Sequence, residues 1–191
     1  KGCFFGVNGA SGLIQSAVIA MANPGETILM PRNVHISVIK TCAMQNILPV
    51  FFDLEFSSET GHYKPITKIW LKNVFKKINF NEKKIVGVIL VSPSYHGYAG
   101  DLEPLIDLCH QKNLPVLVDE AHGSYFLYCE NLNLPKSALS LNADLVVQSL
   151  HKSLNGLTQT AVLWYKGNLV NEQNLIKSIN LLQTTSPSSL L

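Results

Sequence analysis

Apolar and polar positions fall into blocks along this chain, and the period within a block switches between that of a strand and that of a helix. Cys3 to Val7 is a short strand-like run, and Asn8-Gly9-Ala10-Ser11-Gly12 reads as a tight turn. Leu13 to Ala22 places Leu13, Ile14, Ala17, Val18 and Met21 on one helical face, and Asn23-Pro24-Gly25 ends it. The same pattern predicts strands at 27–30, 47–52, 85–91, 114–118, 144–147 and 160–164. Helices are predicted at 34–45, 66–78, 102–111 and 169–182. Residues 53–64, rich in Ser, Glu and Gly, read as a polar loop. No repeat or low-complexity segment interrupts the series.

Strands that are apolar throughout, alternating with amphipathic helices, predict a three-layer α/β/α domain around a mainly parallel sheet. Such sheets bind ligands at the carboxyl ends of their strands. The residues with chemical potential lie there. Ser11 follows the first strand, Asp119 the strand at 114–118, and Ser149 to Lys152 the strand at 144–147.

The chain of 191 residues is long enough for one α/β domain with a sizeable core. A net charge of +2 points to neither nucleic acid nor a membrane surface as partner. The single arginine, Arg32, excludes an arginine cluster for phosphate, so an anion must be met by backbone N–H groups, hydroxyls, histidines or lysines. Cys3, Cys42, Cys109 and Cys129 are scattered, which argues for reduced core thiols and against zinc or a disulfide framework. No apolar run has transmembrane length and no secretory signal opens the chain, so a cytoplasmic protein is expected. Lys1 to Phe5 enters a strand without a lead, and Leu190-Leu191 stops in an apolar stretch. The expected unit is therefore one domain, residues 1–191, cut at both ends from a longer protein.

Three short segments carry chemistry. The turn at Asn8 to Gly12 opens a helix and offers N–H groups, a positive dipole end and the Ser11 hydroxyl to an anion. By itself it could equally be a plain connection. Asp119-Glu120-Ala121-His122 has the letters of a nucleic-acid helicase motif, but no P-loop precedes it and no basic surface accompanies it. Val147 to Ala161 holds Lys152 directly after His151, among small and hydroxyl residues and between apolar runs. Those runs place the lysine at a core edge, its amine partly desolvated and nucleophilic. Pyridoxal 5'-phosphate requires a lysine for a Schiff base, a carboxylate for its pyridine nitrogen and donors for its phosphate. Lys152, Asp119 and the Ser11 turn are those three types, at three strand ends.

Val147 to Ala161 resembles the cofactor-attachment signature of the Orn/Lys/Arg decarboxylase family, of the aspartate-aminotransferase fold (fold type I). The matching positions are the Ser149-x-His151-Lys152 core, Asn155-Gly156, and Thr158 to Ala161. Pro31-Arg32-Asn33-Val34-His35, Val118 to Gly123 and Leu181 to Ser188 resemble further elements of that family. The resemblance implies a pyridoxal-phosphate-dependent decarboxylase of ornithine, lysine or arginine, releasing an amine of the polyamine pathway and CO2. It implies that Lys152 holds the cofactor, Asp119 pairs with the pyridine nitrogen and His35 stacks on the ring. Ala121 would pack on the other face, with His122 close by. Ser11, Ser149 and His151 would contact the phosphate, and Gly12 would do so through its backbone N–H alone. Lys152, His35 and Asp119 would be catalytic, with no metal. The implied assembly is a homodimer or larger homo-oligomer, its active site at the subunit interface, with Thr184 to Ser186 reaching the neighbouring subunit's cofactor. His96 stands where relatives often carry Asp, which leaves that position without its acidic group. His62 and His110 lie in no motif and are assigned to surface or loop. Another fold-type-I enzyme, an aminotransferase or aldolase, and a noncatalytic domain of the same fold stay open.

Overall fold

The computed structural model describes residues 1–80, 82–129 and 132–187. A seven-stranded sheet forms the middle layer. Its strands are β1 (Gly2–Gly6), β2 (Thr27–Pro31), β3 (Leu48–Phe52), β6 (Ile85–Val91), β7 (Val116–Asp119), β8 (Leu145–Ser149) and β9 (Ala161–Tyr165). Their order across the sheet is β1-β9-β8-β7-β6-β2-β3. Only β9 runs against the rest, antiparallel to both β1 and β8. The sheet is therefore mainly parallel, as the apolar strands predicted.

Alternation along the strands sorts their side chains between two cores. On one face Ile28, Met30, Ile89, Leu117, Leu145, Val147 and Leu163 pack against helices α1 (Gly9–Met21), α2 (Ile36–Gln45) and α6 (Glu172–Leu182). On the other, Leu29, Val88, Leu90, Val116, Val118 and Val146 pack against α3 (Lys68–Lys77) and α4 (Glu103–His110). Two apolar cores on one sheet give the three layers. Cys42 and Cys109 sit fully buried in them as free thiols, and burial pushes Cys109 up to about 12.

Several boundaries differ from the sequence expectation for local reasons. The turn expected at 8–12 is already helix from Gly9, a glycine at φ +70°. Helix α2 starts two residues late because His35 is its N-cap: the imidazole Nδ1 accepts the Ser37 N–H at 3.2 Å. The loop expected at 53–64 contains a small hairpin, β4 (Phe56–Ser57) with β5 (His62–Tyr63). Its aromatic pair Phe56–Tyr63, ring centroids 5.5 Å apart, stabilises it despite the polar composition. A four-residue helix α5 (Leu150–Ser153) follows β8 directly and carries the lysine.

His110 is more than a surface residue. Its Nε2 donates to the buried Asp144 carboxylate at 2.8 Å, and Asp144 also accepts the Val116 N–H at 2.8 Å. That carboxylate thus ties α4 to the start of β7. His62 lies in β5 with its ring 4.1 Å from that of His96.

Candidate active site

The carboxyl ends of β6, β7 and β8 and the start of α1 surround one cleft of about 110 Å³. Ser11, His35, Asp119, Ala121, His122 and Lys152 all line it. Parallel pairing puts them there: Val91 of β6 is level with Asp119 of β7, and Asp119 with Val147 of β8.

Asp119 is the buried charge of the site, at 7 % exposure. Burial pushes its carboxyl above the usual range, while the Ala121 N–H, His35 and Lys152 pull it back. Among the described residues its carboxylate accepts one hydrogen bond, from the Ala121 N–H at 3.1 Å. The helicase alternative fails here on geometry. Glu120 leaves β7 on the opposite face and is fully buried, so the two acids cannot share a cation.

Lys152 is exposed, which corrects the expectation of an amine partly desolvated at a core edge. Helix α5 has no buried residue and stands on the end of the sheet instead of packing into it. The Lys152 Nζ lies 3.1 Å from His122 Nε2. An ammonium can only donate, so His122 accepts and is neutral with its proton on Nδ1. Burial, then the Lys152 and His35 charges, hold His122 below its usual value, consistent with that tautomer. The Ser37 N–H donates to His35 Nδ1, so in the neutral ring the His35 proton sits on Nε2.

The loop after Lys152 runs back to the start of α1. Gln159, at φ +73°, turns its carbonyl onto the Gly9 N–H at 2.8 Å, tying this loop to the start of α1. A Cβ on Gly156 would lie 2.5 Å from Thr160 Oγ1 and 3.0 Å from Leu150 Cβ, so only glycine fits. Asn8 makes no side-chain cap on α1, which leaves the N–H groups beside Ser11 clear of it.

Four expected site residues do not line the cleft. Gly12 is one turn into α1, backed by Asn8. Ser149 is fully buried beneath α5, its hydroxyl 3.1 Å from His151 Nδ1. His151 turns that same nitrogen to the Thr160 carbonyl at 3.2 Å, away from the cleft. Thr184 is exposed beyond α6 and accepts the Ser186 N–H at 3.1 Å. Ser188, the end of the element expected near it, lies outside the described residues. The sequence also missed members of the site. Tyr95 lines the cleft and sets its ring edge-on to His122, centroids 5.6 Å apart. Asn33 lines it too, with a buried Oδ1 that has no partner among the described residues. Asn33 lies in the Arg32–His35 element, and only its placement on the connection between β2 and α2 marks it.

The donor set fits the expected cofactor in kind: an amine, a buried carboxylate with spare acceptor capacity, an unpartnered amide oxygen and a helix start without a side-chain cap beside a hydroxyl. Among the described residues no three His, Cys, Asp or Glu side chains are grouped to hold a metal. No helix among them is long and apolar enough to cross a membrane.

Solved structures share this architecture. The lysine decarboxylase LdcF of Francisella novicida superposes with a TM-score of 0.79 at 22% identity, over 98% of this chain and 27% of that one. An Escherichia coli aminotransferase superposes with a TM-score of 0.69 at 17% identity, over 94% of this chain and 43% of that one. Likeness at such identities establishes the fold. Sequence relatives are nearer. The chain is 37% identical over 188 residues to an arginine decarboxylase of Bacillus cereus, covering 98% of this chain and 40% of the relative. It is 35% identical to an arginine decarboxylase of Bacillus subtilis, covering 98% of this chain and 37% of the relative. It thus spans about 40% of the length of such relatives. The family model described as Orn/Lys/Arg decarboxylase, major domain, matches residues 1–191, and the chain belongs to that family.

Proposed function

We propose that this chain is the cofactor-binding major domain of a pyridoxal-phosphate-dependent decarboxylase that converts a basic amino acid to its amine and CO2. One observation carries the proposal: Lys152, Asp119, His35 and Ser11 face a single cleft at the strand ends of a chain of this family. Arginine is the first substrate to test, because the Bacillus relatives are named arginine decarboxylases. A cytoplasmic setting and a homodimer that closes the cleft from the neighbouring subunit belong to the same proposal.

When bound, pyridoxal phosphate supplies an electron sink for the bond that loses CO2. Lys152 would hold it covalently through Nζ, and Asp119 would face its ring nitrogen. The Asp119 charge is costly in its buried position, so a cationic partner there relieves the penalty of burial. Ser11 and the N–H groups of α1 beyond Gly9, whose own N–H is held by Gln159, would hold its phosphate. Lys152 can carry a proton on Nζ and deliver it where the carboxylate leaves, while His35, its Nδ1 held by the Ser37 N–H, offers Nε2–H as a hydrogen-bond donor at the cleft. His122, neutral and within hydrogen-bond reach of Lys152, orients that amine and can accept its proton.

The test uses the full-length protein with added pyridoxal phosphate. Each of arginine, lysine and ornithine is supplied in turn, and the released amine and CO2 are identified. One amine should dominate, and Lys152→Ala should release none. A Lys152→Ala protein that decarboxylates normally overturns the proposal. So does a wild type that needs an added keto acid and returns a keto product.

A further inference from the structure

Asp119 and Glu120 are sequence neighbours that leave β7 on opposite faces, and Glu120 has no part in the cleft. On the α4 face Glu120 Oε1 accepts the Ala138 N–H at 2.7 Å. Its Oε2 accepts both the Ser137 hydroxyl at 2.7 Å and the Gln148 Nε2 at 2.6 Å. Gln148 Oε1 in turn accepts the Trp164 Nε1–H of β9 at 2.8 Å. Glu120 and Ala138 are fully buried, and Ser137 and Gln148 are 1 % exposed.

The polarity of this network runs one way. An indole N–H only donates, so Trp164 fixes the Gln148 amide with its oxygen outward and its NH2 toward Glu120. Ser137 Oγ already accepts the Leu139 N–H at 3.3 Å, which directs its own proton to Glu120. Three donors thus converge on a group that only accepts, the arrangement an ionised carboxylate requires. Burial pushes the Glu120 carboxyl up, and these three hydrogen bonds act against that push.

The network joins the strand ends that carry the site. Glu120 sits between Asp119 and Ala121, and Gln148 directly precedes Ser149 and the helix of Lys152. Beyond the strand ladders the main chain ties β7 to β8 here through Glu120 N–H to the Val147 carbonyl at 2.9 Å, and β8 to β9 through Leu150 N–H to the Thr160 carbonyl at 3.0 Å. We propose that Glu120 is a positioning residue: through Gln148 and Trp164 it clamps the ends of β7, β8 and β9 from behind and so fixes the spacing between Asp119 and Lys152. The link to those two residues' roles rests on the function proposed above.

The polarity supplies the test, made in the full-length protein. In Glu120→Gln, whichever way the new amide turns, its NH2 meets a donor, either Ala138 N–H or the Gln148 NH2. In Gln148→Glu two carboxylates face each other. The double variant E120Q/Q148E restores the pairing from Trp164 through to Ala138. The carboxylate, now at position 148, accepts from Trp164 and from the amide NH2, now at position 120. The oxygen of that amide accepts from Ala138, and Ser137 Oγ has a second lone pair for its NH2. Two readouts are taken, the dissociation constant of pyridoxal phosphate with the pH profile of its bound absorption band, and amide exchange at 119–122 and 149–153. Each single variant should weaken cofactor binding about tenfold, shift the band's pH profile and speed exchange at both segments. The double variant should return to within about threefold of wild type. Singles that bind like wild type overturn the proposal, and so does a double variant that fails to fold or stays weak. If a single variant fails to fold, the double variant decides alone. Amide exchange needs no cofactor, so a wild type that binds none sinks the proposed function and leaves the clamp to be judged on exchange.

Discussion

The two faces of the sheet treat neighbouring carboxylates in opposite ways. Glu120, on the closed face, receives three hydrogen bonds at 2.6–2.7 Å from partners that are themselves buried. Asp119, on the open face, receives one at 3.1 Å, beside the unpartnered Asn33 Oδ1 and an exposed lysine. A buried polar group left short of partners costs free energy, so a fold keeps such a group only where something else offsets the cost. The closed face is built to hold the strand ends still. The open face is built incomplete.

The comparison breaks most sharply at Asp119. Asp119→Asn keeps the shape and the Ala121 contact but removes the charge, and turnover should fall by about 10²- to 10³-fold. Stability without cofactor should move the other way. The folded state holds the Asp119 proton more tightly than the unfolded state, whose value lies near 3.8. Stability from this group is therefore present below that value and is lost as pH rises through the raised folded value. The asparagine variant lacks this falling limb and should be at least as stable as wild type at neutral pH, measured by urea unfolding of cofactor-free protein. A variant that loses stability in step with activity would erase the contrast between the faces.

Glu120→Ala tests the closed face and should fail in the opposite sense. Truncation leaves the Ala138 N–H, the Ser137 hydroxyl and the Gln148 NH2 buried without their acceptor, at a cost of about 3 kcal/mol. The urea midpoint should drop clearly, in contrast to Asp119→Asn. Gly156→Ala is expected next in size. Its Cβ would press on Thr160 Oγ1 and Leu150, and relieving that contact should cost about 2 kcal/mol by urea unfolding.

These contrasts also mark what a sequence can and cannot display. Ile85–Val91 is legible to the residue because an unbroken apolar run between polar residues has one interpretation in a sheet covered on both faces. The family signature singles out Lys152, and strand order brings Asp119 and Ser11 to it. What the sequence hides is orientation. Strand alternation predicts that Asp119 and Glu120 part company, but nothing local says which face is open. Ser149 and His151 flank Lys152 in the signature yet turn to each other and to Thr160, because α5 is a single turn whose faces point in different directions. The exposure of Lys152 depends on what covers α5, which no periodicity encodes. The Phe56–Tyr63 hairpin is lost in a polar composition, since two-residue strands are too short to show alternation.

His122 gives the smallest effect and the finest probe of the open face. Its folded value lies below the ordinary one near 6.5, chiefly through burial and then through the Lys152 and His35 charges. In cofactor-free protein the unfolded chain therefore takes up this proton first as pH falls. The stability associated with neutral His122 is present above 6.5 and is lost as pH drops from there through the folded value. His122→Phe keeps an aromatic ring against Tyr95 and does not titrate. The stability difference between wild type and variant should stay flat above about pH 6.5 and turn against wild type below it, in urea titrations at stepped pH. The slope should be shallow, because the ring is only half-buried and solvent reaching it screens the charges acting on it. Binding of pyridoxal phosphate should change that slope, since it would engage the Lys152 amine that depresses His122. A slope that cofactor leaves untouched would mean that His122 and Lys152 are neighbours without coupling, and the open face would then be less organised than its geometry implies.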